Sequence, residues 1–137
     1  MKKSINEKEQ CVQTDVMQSV LKCTDLRIGN LVYSKETNKI QNITGLTDEN
    51  PFIDAITFDY TNYDEIEAIP ITEEWLLKLG FINDKVLEFY RNDFTDSTII
   101  IDYNFICLLG YSHVKLKYVH QLQNLHFALT GCELTVA

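Results

Sequence analysis

The chain has 137 residues and a formal net charge of −8, from 20 Asp and Glu against 12 Lys and Arg. This length fits one domain, or one domain with an appendage, and only five Gly and two Pro exclude collagen-like and low-complexity chains. The acidic balance argues against a protein that binds nucleic-acid phosphates.

The apolar and cysteine patterns predict a cytoplasmic protein. The lysines near the start are not followed by the apolar run of a secretory signal. The most apolar stretch, residues 98–110, is interrupted by Asp102 and Asn104 and is too short to cross a bilayer. No Cys-x-x-Cys pair occurs among the four cysteines, so we expect reduced thiols. These cysteines are Cys11, Cys23, Cys107 and Cys132.

Residues 1–24 differ from the rest of the chain and are predicted to be a polar N-terminal extension. They lack aromatic residues and carry one weak stripe at helical spacing, formed by Val12, Val16, Val20 and Cys23. The stripe indicates either a short helix that docks on the body or on a partner, or a loosely ordered end.

Four short strands are predicted in the first half of the chain, connected by turns of hairpin length. Alternating apolar and polar residues mark each strand, and Gly, Asn, Asp and Pro mark the turns between them. The predicted strands cover residues 26–33, 39–46, 52–60 and 65–69.

A short helix is predicted to follow. Thr72 is a good N-cap, and Glu73 and Glu74 occupy the first turn, where the helix dipole favours acids. Gly80 is suited to the C-terminal cap. Trp75 is expected to anchor the apolar face.

Three more strands, a longer helix and a tail complete the prediction. The strands cover residues 85–91, 98–103 and 105–109, and the helix covers residues 116–130. Its expected apolar face consists of Tyr118, Leu122, Leu125 and Leu129. Residues 133–136 are a candidate edge strand. The chain therefore indicates an α+β fold of mostly antiparallel strands, with residues 25–137 forming a single compact domain.

Three segments together resemble a family of small proteins encoded in gut-bacterial genomes and their prophages. The segments are LRIGNLVY at 26–33, IPITEEWLLKLGF at 69–81 and YVHQLQNLHFALTG at 118–131. The resemblance covers residues 25–136 and implies a compact phage-associated or mobile-element protein with no established activity, so it transfers no catalytic residue. The first motif also resembles the opening of an SH3-like small barrel, which implies a barrel over residues 25–70.

The charge distribution is the most informative feature. No basic residue occurs between Lys39 and Lys78, whereas this stretch holds nine acids: Asp48, Glu49, Asp54, Asp59, Asp64, Glu65, Glu67, Glu73 and Glu74. One interpretation is an acidic face that docks on a basic protein, and one version of this interpretation is that the carboxylates mimic DNA phosphates. The other is a solvated face that keeps the protein soluble. The first seven of these acids are candidate partner-binding residues.

Phe127 is a further candidate partner-binding residue. It falls on the side of the final helix opposite the expected apolar face. Either the monomer covers it, for which the N-terminal stripe is a candidate, or it is an exposed anchor for a partner.

No catalytic, metal-binding or cofactor-binding residue is predicted. His113, His120 and His126 do not form a metal-ligand pattern, because His120 and His126 have no Cys, Asp or Glu three or four residues away in the predicted helix. The sequence also contains no phosphate-binding loop or nucleophile elbow. We therefore predict a non-catalytic acidic protein-interaction module, with no membrane or nucleic-acid partner. The alternatives are an enzyme with a carboxylate-containing cleft and a virion or assembly component.

Overall fold

The computed structural model describes residues 20–53, 60–94 and 97–136. Their contacts divide the chain into two compact units, the first up to Ile28 together with Val32–Ala68, and the second comprising Gly29–Leu31 and the chain from Ile69 onward. Paired strands are antiparallel, and two α-helices follow the first sheet, the longer one near the C-terminus. The predicted α+β class is therefore confirmed. One domain over residues 25–137 stays a prediction.

The first unit is built on short strands and 3-10 turns. A three-stranded sheet has the order β2-β1-β5, and a two-stranded ribbon pairs β3 with β4. Register in the sheet places Tyr33 opposite Glu67 and Ser34 opposite Ile66. The strands are β1 (Leu31–Ser34), β2 (Lys39–Asn42), β3 (Gly45–Leu46), β4 (Pro51–Phe52) and β5 (Ile66–Glu67), and the 3-10 helices are Cys23–Asp25 and Tyr63–Glu65.

Aliphatic side chains from several of these elements form the core of the first unit. The buried members are Leu21, Leu26, Val32, Ile43, Ile53 and Ile66. The strand predicted over 26–33 begins only at Leu31, because Gly29 has a positive φ of 102° that interrupts extended backbone. Most of the strand predicted over 52–60 lies outside the described residues. The SH3-like barrel also stays a prediction.

The second unit contains a five-stranded antiparallel sheet in the order β10-β9-β8-β7-β6. Its strands are β6 (Ile82–Asp84), β7 (Phe89–Phe94), β8 (Ser97–Asp102), β9 (Ile106–Leu109) and β10 (Ser112–Lys115). The strands predicted over 98–103 and 105–109 correspond to β8 and β9, whereas the strand predicted over 85–91 overlaps β7 only at residues 89–91, because residues 85–88 form a turn. The edge strands β6 and β10 were not predicted, because three or four residues carry too little alternation to distinguish a strand from a turn.

One face of this sheet is buried. Tyr90 on β7, Ile99 and Ile101 on β8, and Cys107 on β9 have little or no exposed surface. Alternation along each strand places these side chains on a common face, and β8 is in contact with the C-terminal helix. In this sheet β8 is the central strand, with two strands on either side of it.

The first helix, α1 (Glu73–Lys78), begins at the predicted cap. The Thr72 hydroxyl accepts a hydrogen bond from the Trp75 amide at 3.2 Å. Leu76 is the fully buried residue of this helix, whereas Trp75 is only half-buried, with the Lys78 ammonium 4.8 Å from its ring centre. Leu76, rather than the predicted Trp75, therefore anchors α1.

The second helix, α2 (Val119–Thr130), buries a different face from the predicted one. Its buried residues include Val119, Leu122, Gln123 and His126, which follow each other at helical spacing along one side. Of the expected face, only Leu122 is fully buried, and Leu129 is 45% exposed. Hydrophobicity alone misplaces the buried face because two of its central residues are polar.

Gln123 explains why a polar residue occupies that face. Its Oε1 accepts a hydrogen bond from the Leu31 amide at 2.8 Å, and its Nε2 donates to the Leu134 carbonyl at 3.1 Å and to the Gly29 carbonyl at 3.3 Å. This side chain, which we term the Gln123 clamp, therefore holds residues 29–31 and the C-terminal tail against α2.

The tail beyond α2 is irregular rather than the predicted edge strand. Gly131 ends the helix with a φ of 75°, and its amide donates to the Phe127 carbonyl. The Cys132 carbonyl lies 2.9 Å from His126 Nδ1, and the Leu134 side chain is buried. Helix side chains thus satisfy the tail carbonyls that a strand neighbour would otherwise bind.

Replacing Gln123 with Ala is expected to lower the free energy of unfolding by about 3 kcal/mol, because a buried amide and two carbonyls lose their partner. Gln121→Ala is the matched control on the same helix. It removes a cap acceptor for the Lys117 and Tyr118 amides and should cost only about 1 kcal/mol. Urea unfolding of both variants measures the difference. Equal losses would contradict the central role of the clamp.

Candidate functional site

The loop between β3 and β4 presents two of the predicted acids on a rigid turn. The Thr47 hydroxyl accepts hydrogen bonds from the Asn50 amide at 2.9 Å and the Glu49 amide at 3.3 Å. The Thr47 amide in turn donates to the Asn50 carbonyl at 3.0 Å. Because the turn is closed by its own backbone and hydroxyl, the side chains of Asp48 and Glu49 are left exposed to solvent.

A second segment is hydrogen-bonded to this turn. The Tyr63 hydroxyl donates to the Thr47 carbonyl at 2.5 Å, and the Asn50 side-chain amide donates to the Thr61 carbonyl at 2.7 Å. The 3-10 helix that contains Tyr63 also carries the exposed Asp64. Three predicted acids from two segments of the first unit are therefore held on neighbouring turns.

A fourth acid joins the group through Thr61. The Thr61 hydroxyl donates to a carboxylate oxygen of Glu36 at 2.6 Å, and Glu36, the fourth acid, is exposed. Glu36 was missed in the sequence because it lies between Lys35 and Lys39, outside the stretch without basic residues. Its neighbour Thr61 gives no sign of this contact without the fold.

We use the term acidic end for these four residues, Glu36, Asp48, Glu49 and Asp64. Within residues 20–53 and 60–68, none of them forms a side-chain ion pair. Burial raises the pKa of Tyr63, and the nearby Cys23 and the Asp48 carboxylate raise it further. Tyr63 therefore stays a neutral hydrogen-bond donor to the loop well into alkaline solution.

The other predicted acids are distributed differently. Glu65 is half-buried, and its backbone carbonyl accepts from the Lys35 amide at 2.8 Å. Glu67 is exposed on β5, opposite Tyr33. Asp54 and Asp59 lie outside the described residues. The structure thus brings together three of the seven predicted acids, adds Glu36, and places Glu67 on β5, the strand that directly follows the 3-10 helix of Asp64.

Phe127 belongs to the second unit and is 38% exposed on α2. The predicted covering stripe is only partly described. Val12 and Val16 lie outside the described residues, Val20 is exposed, and Cys23 belongs to a 3-10 helix. A role of Phe127 in binding stays a prediction.

The described residues include several side chains of the types that bind metal ions, and one fully buried thiol. Among them, no three His, Cys, Asp or Glu side chains lie close enough to hold a metal ion together. Cys107 is fully buried in the sheet, and burial raises its pKa to about 11, so the thiol stays protonated and unreactive at neutral pH. In the same part of the chain, no helix is long and apolar enough to cross a bilayer.

Comparisons of the chain with protein-family models, with curated proteins and with solved structures found no match.

Replacing Tyr63 with Phe is expected to lower the free energy of unfolding by about 1 kcal/mol, because the Thr47 carbonyl loses its side-chain donor. Tyr60→Phe is a suitable control, since Tyr60 is largely exposed. Thermal unfolding followed by circular dichroism compares the two variants. A Tyr63→Phe protein as stable as the control would show that this hydrogen bond does not fix the loop.

The raised pKa of Cys107 predicts a loss of stability in alkali. In the unfolded chain the thiol ionises near its ordinary pKa of 9.0, whereas the native pKa is about 11. The contribution of the buried, protonated thiol to the free energy of unfolding is therefore fully present below about pH 9. It is lost as the pH rises toward about 11.

Urea unfolding of the wild type and of Cys107→Ala at about pH 8 and about pH 10.5 measures this loss. The free energy of unfolding should fall more steeply with pH in the wild type. Burial also raises the pKa values of Tyr63 and Tyr90, so these residues lower the free energy of unfolding in alkali in both proteins. Their effect therefore cancels in the comparison. An identical fall in the two proteins would contradict the prediction.

Proposed function

We propose that this chain is an acidic protein-interaction module that binds a basic protein surface through the acidic end. The observation that carries the proposal is the arrangement of Asp48, Glu49 and Asp64. Their carboxylates are exposed, belong to turns that are hydrogen-bonded to each other, and have no ion-pair partner among the described residues of the first unit.

The hydrogen bonds of the turns favour binding on entropic grounds. A flexible acidic loop would lose backbone freedom when a partner ordered it, and this loss would reduce the affinity. In the acidic end, Thr47, Asn50 and Tyr63 already restrict the backbone that carries the carboxylates. A partner would then mainly have to order the carboxylate side chains.

The charge of the acidic end indicates the chemistry of the partner. Clustered carboxylates attract Lys and Arg side chains, raise the association rate and discriminate against acidic surfaces. Nucleic-acid phosphates would be repelled. The resemblance of residues 25–136 to prophage-encoded proteins supports a basic protein of a bacterial host or of a phage as the partner.

Neutralising the acidic end is the direct test. Asp48→Asn, Glu49→Gln and Asp64→Asn combined keep the shapes of the side chains and remove three charges. We expect binding of a basic protein to weaken about tenfold or more, since each exposed charge contributes a few tenths to one kcal/mol. The measurement is affinity capture from cells that express the chain, followed by titration of the retained protein at two salt concentrations.

A matched variant controls for net charge. Glu73→Gln, Glu74→Gln and Glu88→Gln remove the same three charges from exposed positions of the second unit. This control should retain the wild-type partner with nearly unchanged affinity, and both variants should melt within a few degrees of the wild type. Equal weakening in the two variants would assign the effect to overall charge and contradict a specific acidic end.

A further inference from the structure

Strand β10 is an edge of the five-stranded sheet. Among the described residues its hydrogen-bonded neighbour is β9 alone, and all four of its residues are exposed. Tyr111, in the tight turn that leads into the strand, is fully exposed. Exposed edges are sites at which another strand can add, because their amides and carbonyls lack a neighbour.

The register shows which backbone groups point away from β9. The Leu116 amide donates to the Phe105 carbonyl at 2.9 Å, which makes these two residues a hydrogen-bonded pair. Such pairs alternate along an antiparallel ladder, so Val114 and Ser112 also face β9. The amide and carbonyl of His113 and of Lys115 must therefore point to the open edge.

These outward groups are complementary to themselves. If a second copy pairs its β10 antiparallel about a two-fold axis at Val114, His113 of each copy lies opposite Lys115 of the other. Each of these two pairs forms two hydrogen bonds, so all four outward amides and carbonyls of the two strands are paired. A shift of the register by two residues would place the turn residue Tyr111 in the ladder in one direction. In the other direction it would place Lys117 there, whose carbonyl already accepts from the Ile71 amide at 2.9 Å.

The side chains near this axis are compatible with close approach. Val114 is 37% exposed, and it would lie opposite Val114 of the second copy in a non-hydrogen-bonded pair, the closest kind of side-chain contact in a sheet. Lysines on edge strands often prevent such pairing. Here the Lys115 ammonium donates to the Asn104 carbonyl of its own chain at 2.6 Å.

We propose that β10 pairs with β10 of a second copy and joins two five-stranded sheets into one of ten strands. The pairing is independent of the proposed function, because it involves none of the residues of the acidic end. A contact through strands of four residues is small, so the dimer is expected to be weak and to form in a concentration-dependent manner.

Sedimentation equilibrium of the full chain tests the pairing. The average mass should rise from 15.9 kDa toward twice that value as the concentration increases between about 1 µM and about 1 mM. His113→Pro removes an outward amide that the monomer does not use, and it should abolish the rise. His113→Ala keeps the amide and should retain it.

A second pair of variants tests the axis. Val114→Lys places two like charges opposite each other and should abolish dimer formation, whereas Val114→Thr keeps the branched shape and should dimerise. A wild type that stays monomeric, or variants that all dimerise equally, would overturn the proposal. Loss of the dimer in His113→Ala as in His113→Pro would also overturn it, because the side chain and not the backbone would then mediate contact.

Hydrogen exchange of the wild type gives a readout that does not depend on folding of a variant. The amides of His113 and Lys115 should exchange at least several-fold more slowly at a concentration where the mass has risen than in the dilute monomer. The amide of Val114, which faces β9 in either state, serves as the internal reference. Unchanged exchange at His113 and Lys115 would overturn the assignment to this edge.

Discussion

The second unit depends most on the hydrogen bonds of the Gln123 side-chain amide. A primary amide both donates and accepts, and this one binds the Leu31 amide and the carbonyls of Gly29 and Leu134. Leaving such groups buried without a partner would cost roughly 1–3 kcal/mol each. The clamp therefore connects α2 to residues 29–31, which lie more than ninety residues earlier in the chain, and to the C-terminal tail. The buried face of α2 is organised around it.

The first unit uses the same kind of contact for a different result. Thr47, Asn50 and Tyr63 also bind backbone groups through their side chains, but they do so in turns near the surface. Gln123 satisfies buried backbone groups, whereas these residues restrict exposed loops and leave Asp48 and Glu49 in solvent. Hydrogen-bonded turns with exposed carboxylates support the proposed recognition of a basic surface, because little backbone order would remain to be imposed on binding.

Local signals in the sequence were sufficient for several elements. Thr72 caps the start of α1 as predicted, and α2 ends at Thr130, the predicted last residue, because capping depends on residues within one turn of the helix end. The strongly β-branched β8 was also predicted. The buried face of α2 was predicted wrongly, because a prediction from hydrophobic periodicity assigns polar residues to the exposed face. Gln123 and His126 are polar and yet buried.

Composition, capping and alternation act over a few residues, so they were sufficient to predict the fold class, the start of α1, the end of α2 and the acidic stretch. Three features are apparent only in the folded chain: Gln123 is buried, Glu36 joins Asp48 and Asp64, and β10 forms an edge. The first two of these facts depend on hydrogen bonds between segments far apart in the chain, and the third depends on which strands the folded sheet places beside β10. No local pattern specifies which distant backbone group a side chain will meet, so the partners are fixed only when the chain folds.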